Sequence, residues 1–377
     1  MNTINRILQL EIEKRMQPGI VMLLFGARRV GKTILIKAIA NKFDGKKLFL
    51  NGEDNNTHLM LQEKSIANYK FLLQGIDLLI IDEAQNIPDI GSKLKLIVDE
   101  IPSVYVIASG SSSFDLLNLT GEPLVGRSQT FYLFPFSQEE MMQTENAAEM
   151  LQNLQDKLIY GTYPQLLTMN NTEKQEYLTD MVNSYLLRDI LAIDGLRNSN
   201  KMLDLLRLIA FQTGNLVSYD ELGRQLGLSK NTVEKYLDLL SKVFIIHRLG
   251  AYSGNLRKEI SKSSKWYFFD NGIRNALINN FSPISLRTDV GQLWESFLIS
   301  ERLKRKHFHR LNVNHYFWRT FDQQEVDLIE IADQKITAYE FKWSEKTAKI
   351  PIAFQKTYPD AMFFNINNIN YYSYIQQ

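Results

Sequence analysis

Cysteine is absent from the sequence, which excludes disulfides, thiolate catalysis and cysteine-ligated zinc. Histidine is scarce: there are five in 377 residues and none spaced as H-x-x-x-H or H-E-x-x-H, so the common zinc-hydrolase motifs are excluded as well. His307 and His309 fall within the basic run Arg302–Arg310 and read as exposed polar residues. Neither sign of charge is in excess. With 43 basic and 42 acidic residues the net charge is +1, so no global field draws polyanions and any nucleic-acid contact rests on local patches. Apolar runs of bilayer-spanning length are also missing, and Met1–Arg15 is charged with helical patterning rather than built like a signal peptide. A cytoplasmic location away from membranes is the expectation. The 45% apolar and 23% charged fractions are those of an ordinary globular chain, and the length predicts two or three domains.

What is present begins with Gly26-Ala27-Arg28-Arg29-Val30-Gly31-Lys32-Thr33, followed by Ile34. This fits G-x-x-x-x-G-K-[ST] between an apolar run of strand length, Ile20–Phe25, and a helical stretch, Ile34–Ala40. Two glycines allow a tight turn, so that successive N–H groups and the helix N-terminus face a phosphate chain. In that frame Lys32 reaches the β- and γ-phosphates of ATP and Thr33 holds Mg²⁺. A second run, Leu78–Ile81, ends in Asp82-Glu83, as expected of a buried parallel strand whose C-terminal end faces the nucleotide. Asp82 is assigned to the Mg²⁺ shell and Glu83 to polarising the attacking water.

Strand patterns at Lys47–Asn51, Leu78–Asp82, Val104–Ser109 and Thr130–Phe134 alternate with helical ones, predicting an α/β fold with a parallel sheet over residues 1–137. The fourth strand runs into Ser109-Gly110-Ser111-Ser112-Ser113, where a hydroxyl, assigned to Ser111, either senses the γ-phosphate or belongs to a turn capping a helix from Phe114. Arg127, before the fifth strand, either stabilises charge on the transferring phosphate, in its own chain or a neighbour's, or is simply exposed.

Together G-A-R-R-V-G-K-T, L-L-I-I-D-E-A-Q, S-G-S-S, V-G-R, L-F-P-F-S, Tyr160–Pro164 and Leu187–Ile190 resemble the bacterial and archaeal AAA-type ATPases that carry a restriction-nuclease-like C-terminal domain. The resemblance implies an AAA+ core followed by a helical lid, here residues 138–212. Thr162 departs from it, since the family more often has a second glycine there, and a tight backbone role at that position is not expected.

Residues 213–265 read as a winged helix-turn-helix: a short helix after Ser218, a turn at Gly227, a second helix capped by Ser229, and a wing opening at Phe244–Leu249. Lys230, Asn231 and Lys235 fall on the outer face of the second helix, available to DNA, although Glu234 and Asp238 dilute its charge and such elements also serve only to pack against neighbours.

Residues 266–377 read as helix (Gly291–Lys306), strands (His315–Arg319, Glu325–Ile331, Ile336–Trp343), helix (Thr347–Thr357) and strand (Ala361–Ile366). A tight turn at Ala332–Lys335 sets Ile331 against Ile336, and therefore Asp327 against Glu340 and Glu325 against Lys342. Opposed carboxylates repel, a cost that Mg²⁺ or Mn²⁺ would remove. The D…E-x-K order resembles the PD-(D/E)xK nuclease fold. That resemblance implies that Asp327 and Glu340 bind metal, that Lys342 activates water and that Glu295 completes the acidic cluster. The alternative is structural: a Glu325–Lys342 ion pair and a solvated Glu340. The chain therefore reads as an ATP-hydrolysing ATPase acting on or regulated by nucleic acid, with a second metal site and metal-dependent nuclease chemistry in its last domain, or as a nucleotide-gated switch that binds a protein partner or its own copies, the nuclease-like domain serving as a scaffold.

Overall fold

The computed structural model describes residues 4–111, 124–186, 199–253 and 264–376. Helix α1 (Ile7–Arg15) is followed by β1 (Val21–Phe25), α2 (Lys32–Lys42), β2 (Lys47–Asn51), α3 (Asn55–Gln62), α4 (Ile66–Leu72), β3 (Leu78–Asp82), α5 (Ile90–Glu100), β4 (Tyr105–Gly110) and β5 (Ser128–Tyr132). The strands form one parallel sheet in the order β2-β3-β4-β1-β5, the α/β architecture that the alternating pattern predicts. Every residue of β1 and β3 is buried, as a parallel sheet covered on both faces requires. This order sets the C-terminal ends of β1, β3 and β4 side by side, with Phe25 level with Gly110. β5 starts two residues before the expected Thr130, because its ladder with Val21 begins at the polar Ser128. Ser112, Ser113, Phe114 and Leu187–Ile190 lie outside the described residues.

Helices α6 (Gln138–Met141), α7 (Ala147–Gln152), α8 (Leu154–Tyr160), α9 (Asn171–Asp180) and α10 (Ser199–Phe211) follow. α8 stops at Gly161, whose φ of 76° and ψ of −161° suit glycine alone, and a Cβ there would lie 1.9 Å from Asp270 Oδ1. The neighbouring Thr162 is buried. Its N–H donates to Asp270 Oδ2 (2.8 Å) and its carbonyl accepts from Phe136 N–H (3.0 Å). Contrary to expectation, the backbone at Thr162 is thus closely engaged. It needs no second glycine, because Gly161 alone makes the turn.

After β6 (Leu216–Val217), α11 (Tyr219–Leu226) and α12 (Lys230–Lys242) meet at Gly227, each started by a serine cap: Ser218 accepts from Glu221 N–H and Ser229 from Thr232 N–H. The remaining elements are β7 (Ile246–Ala251), β8 (Ser264–Phe268), α13 (Asn271–Leu277), α14 (Val290–Phe308), β9 (Asn314–Arg319), β10 (Glu325–Ala332), β11 (Lys335–Phe341), α15 (Ile352–Thr357), β12 (Met362–Ile366) and α16 (Tyr371–Gln376). α15 starts five residues later than the pattern suggests, since Pro351 keeps the chain extended before it.

One mixed sheet of seven strands, ordered β12-β11-β10-β9-β7-β8-β6, contains both the strands expected to form a wing and those expected to form the last domain. β7 and β9 join the two sets in parallel, with Gly250 against Tyr316. Asp333 and Gln334, at φ 49° and 65°, close β10 onto β11 in a two-residue turn of the hairpin-favoured hand. Ile331 faces Ile336 and Leu328 faces Tyr339, the register that sets Asp327 opposite Glu340. The β9 ladder is irregular between Val326 and Ile329, the stretch that contains Asp327.

The two sheets are packed together through α14. Phe134 stacks on Phe269 at 5.2 Å and packs near Phe244, His307 and Phe308. Lys304 Nζ donates to Phe136 O (3.1 Å) and Gln138 N–H to Glu301 Oε2 (2.7 Å). Among the described residues no helix is long and apolar enough to cross a membrane.

Candidate active site

The loop from Gly26 to Thr33 leaves β1 and enters α2 with Arg29 at φ 63° and Gly31 at φ 99°. The second value is a left-handed conformation that glycine adopts freely, and it turns the chain into the helix N-terminus where anions bind. Lys32 is 5% exposed, and its ammonium donates to Gly26 O and Ala27 O, both at 3.0 Å. Thr33 Oγ1 donates to Asp82 Oδ2 at 2.7 Å, so hydroxyl and carboxylate converge as the motif reading requires.

Three supporting residues have no role assigned from the sequence. Ser109, fully buried at the end of β4, donates to Asp82 Oδ1 and accepts from Glu83 N–H (3.3 Å). It is this hydroxyl, two residues before the assigned Ser111, that touches the acidic pair. Ser111 Oγ instead accepts from Gln85 Nε2 (3.3 Å), and the same amide donates to Glu83 Oε2 (2.6 Å). Gln85 thus holds the glutamate in place; the only sequence signal for it was its place in the D-E-A-Q tetrapeptide. Arg6, from the start of α1, is buried beneath the loop. Its guanidinium donates to Val30 O (3.2 Å), to Phe134 O and to Glu140 Oε2 (2.9 Å), and lies over Phe136 at 4.4 Å. It thereby ties the phosphate loop to L-F-P-F-S, and no local pattern announces that contact.

A cleft of about 490 Å³ opens at this loop between Gly31–Ile34, Arg29 and Glu83 on one side and Pro164, Gln165 and Thr168 on the other. Ile34 is 72% exposed in it, an apolar side chain facing space rather than core. Arg29 lies over the Tyr177 ring at 5.1 Å, while Ala27 and Arg28 border a narrower gap against Phe244 and Asp270.

Residues 19–142, which contain this loop, the acidic strand end and Ser109, match the family described as AAA domain. That segment is similar to an AAA domain. Residues 151–283 and 290–368 match two domains of unknown function, DUF8612 and DUF4143. An uncharacterized protein of Mycobacterium tuberculosis is 27% identical over 313 residues, spanning 82% of this chain and 67% of its own. Another, of Methanocaldococcus jannaschii, is 22% identical over 385 residues, spanning 96% of this chain and 84% of its own. Among solved structures, a Signal Transduction ATPase with Numerous Domains (STAND) protein with a tetratricopeptide repeat sensor, from Pyrococcus horikoshii, aligns at TM-score 0.33 and 14% identity. The alignment covers 81% of this chain and 46% of that one. The RuvB Holliday junction branch migration motor of Thermotoga maritima aligns at TM-score 0.30 and 18% identity, over 64% of this chain and 86% of its own.

Within the AAA domain Arg127 does not approach the nucleotide cleft. Its carbonyl accepts from Val21 N–H, at the start of β1, so it lies at the opposite end of the sheet from the phosphate loop, roughly 15 Å away at ~3.3 Å per strand residue. Its side chain pairs with Asp99. A role for it on phosphate within its own chain is therefore removed, because the parallel sheet carries its two ends to opposite edges.

Lys230, Asn231 and Lys235 are exposed on α12, and Lys230 is 3.4 Å from Asp220. Glu234 and Asp238 share that exposed face, and Asp238 is 2.7 Å from Lys242.

The C-terminal carboxylates do come to one region, but they are engaged internally. Lys342 Nζ donates to Glu340 Oε1 (2.6 Å), and Phe341 N–H donates to Asp327 Oδ2 (2.8 Å). Glu295 accepts from Lys265 Nζ (2.9 Å) and from Tyr267 Oη. Glu325 pairs with Lys265 and, across the β9 ladder, with Arg319 (3.2 Å), where the structural alternative pairs it with Lys342. Burial, with the charges of Glu295 and Glu340 nearby, holds the Asp327 carboxyl well above its ordinary range. Among the described residues no group of three or more His, Cys, Asp or Glu is arranged to hold a metal ion. The second metal site assigned to Asp327, Glu340 and Glu295 is thus unsupported, and a cation that the sequence reading left out, Lys265, stands among these carboxylates. A lysine within the aromatic strand S-K-W-Y-F was the signal for it.

Proposed function

We propose that the chain binds and hydrolyses Mg·ATP in the cleft of its AAA domain. The observation that carries this reading is the junction of Thr33 Oγ1, Asp82 and Ser109 Oγ at the mouth of the phosphate loop, with Glu83 beside it. Backbone N–H groups at the start of α2 face the phosphates, and Lys32 leaves the Gly26 and Ala27 carbonyls to neutralise the β- and γ-phosphates. Thr33 and Asp82 offer the hydroxyl and carboxylate oxygens that suit Mg²⁺, which when bound neutralises charge developing on the transferring phosphoryl group. Glu83, oriented by Gln85, accepts a hydrogen bond from the attacking water, and Ser109 keeps Asp82 turned toward Thr33. Ile34 and Pro164 supply apolar contact beyond the phosphates.

The test is Glu83→Gln. We expect phosphate release to fall about 10²-fold or more, the span of a lost general base, while ATP binding measured by calorimetry stays within a few-fold of native. Undiminished turnover would remove Glu83 from the reaction.

A second element of the proposal is that α12 contacts DNA. What supports it is the solvent exposure of Lys230, Asn231 and Lys235 on one helix face. With these three changed to alanine, affinity for duplex DNA, read by fluorescence anisotropy at 50 mM salt, is expected to drop at least tenfold, since two phosphate-neutralising charges are lost. If the native chain binds no DNA and instead holds a protein through this face, it is a nucleotide-gated switch with a protein partner.

A further inference from the structure

The side chain of Lys265 is only 2% exposed although it carries a charge, and it comes from β8 into a cluster whose carboxylates come from α14, β10 and β11. Its ammonium meets Glu295 at 2.9 Å and also contacts Glu325. Two residues along the same strand, on the same face, Tyr267 donates to the same Glu295 oxygen. The Lys265 ammonium also lies 5.5 Å from the centre of the Phe317 ring.

We infer that Lys265 is a tethered counter-ion that takes the charge-neutralising place of a divalent cation, so that this C-terminal module works as a scaffold joined to the α11–α12 unit rather than as a metal centre. The geometry supports this in two ways. A hard cation is anchored by one or two carboxylates with water completing its shell, and here the oxygens that would anchor it are engaged: Glu295 Oε1 by Lys265 and Tyr267, Asp327 Oδ2 by the Phe341 N–H, and Glu340 Oε1 by Lys342. The ammonium is also held in position. β8 lies between β7 and β6 with ladder bonds on both sides, so displacing its backbone requires unpairing that part of the sheet. Glu340 Oε2 is buried without a hydrogen-bond partner among the described residues, which leaves an oxygen for a cation once Lys265 is removed.

The test is Mn²⁺ titration of the nucleotide-free full chain, followed by calorimetry and by Mn²⁺ electron paramagnetic resonance. The native chain and Glu340→Gln are expected to behave alike, with no Mn²⁺ bound at this cluster below millimolar concentration. Lys265→Met removes the internal cation and is expected to gain one Mn²⁺ site at least tenfold tighter than anything the native cluster shows. Mn²⁺ should then raise the melting temperature of Lys265→Met but not of the native chain, and adding Asp327→Asn should erase both gains. A native Mn²⁺ site that Glu340→Gln abolishes would overturn the inference, as would a folded Lys265→Met that gains none. If Lys265→Met does not fold, the comparison of native with Glu340→Gln decides alone: identical, metal-free titrations uphold the inference and a difference overturns it.

Discussion

Lys32→Ala is expected to lower ATP turnover by about 10³-fold or more, the scale on which a single positive charge acts on a transferring phosphoryl group. The ammonium is buried and is held by Gly26 O and Ala27 O on the loop it serves. Alanine has neither the reach nor the charge. The fold should survive, because alanine is the best helix former at the first position of α2 and the cost of keeping a buried ammonium out of water disappears together with its two hydrogen bonds. Phosphate release at millimolar ATP and a urea unfolding curve measure the two effects separately. Turnover within tenfold of native would mean that the cleft at Gly31–Ile34 is not where ATP reacts.

Gly161→Ala should damage stability rather than chemistry. The backbone conformation there costs an alanine about 1–3 kcal/mol, and forcing a methyl into packed surroundings costs about as much again. The relief routes are closed. Asp270 is fixed by N–H donors from Thr162, Gly272 and Ile273, so the carboxylate that a Cβ would overlap cannot step aside. A loss of roughly 3–5 kcal/mol is comparable with the whole margin of a folded domain, so soluble yield and urea midpoint should both fall sharply. Any protein recovered should also need more ATP for half-maximal turnover, because Pro164–Thr168, which wall the cleft, follow directly from this turn. A midpoint shift below about 0.5 kcal/mol, the usual scatter of surface changes, would show that the turn can relax.

The sequence by itself determined the elements whose cause is local. A short apolar run bounded by turn signals reads as a strand covered on both faces, and G-x-x-x-x-G-K-T between such a strand and a helix reads as a phosphate-binding loop. A two-residue turn with period-two flanks has one register, which is why Asp327 could be placed against Glu340 from spacing alone. Where a local signal was misread, as at Pro351 before α15, the competing preference lay within a few residues. Tertiary structure alone decided the rest. Parallel strand direction carried Arg127 to the end of the sheet opposite the phosphate loop, and a pairing of β7 with β9 across more than sixty residues joined two expected units into one sheet. Arg6 under the phosphate loop and Lys265 among the carboxylates meet partners far along the chain. Charge and hydrogen-bond partners are chosen by proximity in space, and for residues so far apart in sequence that proximity exists only once the sheets have formed.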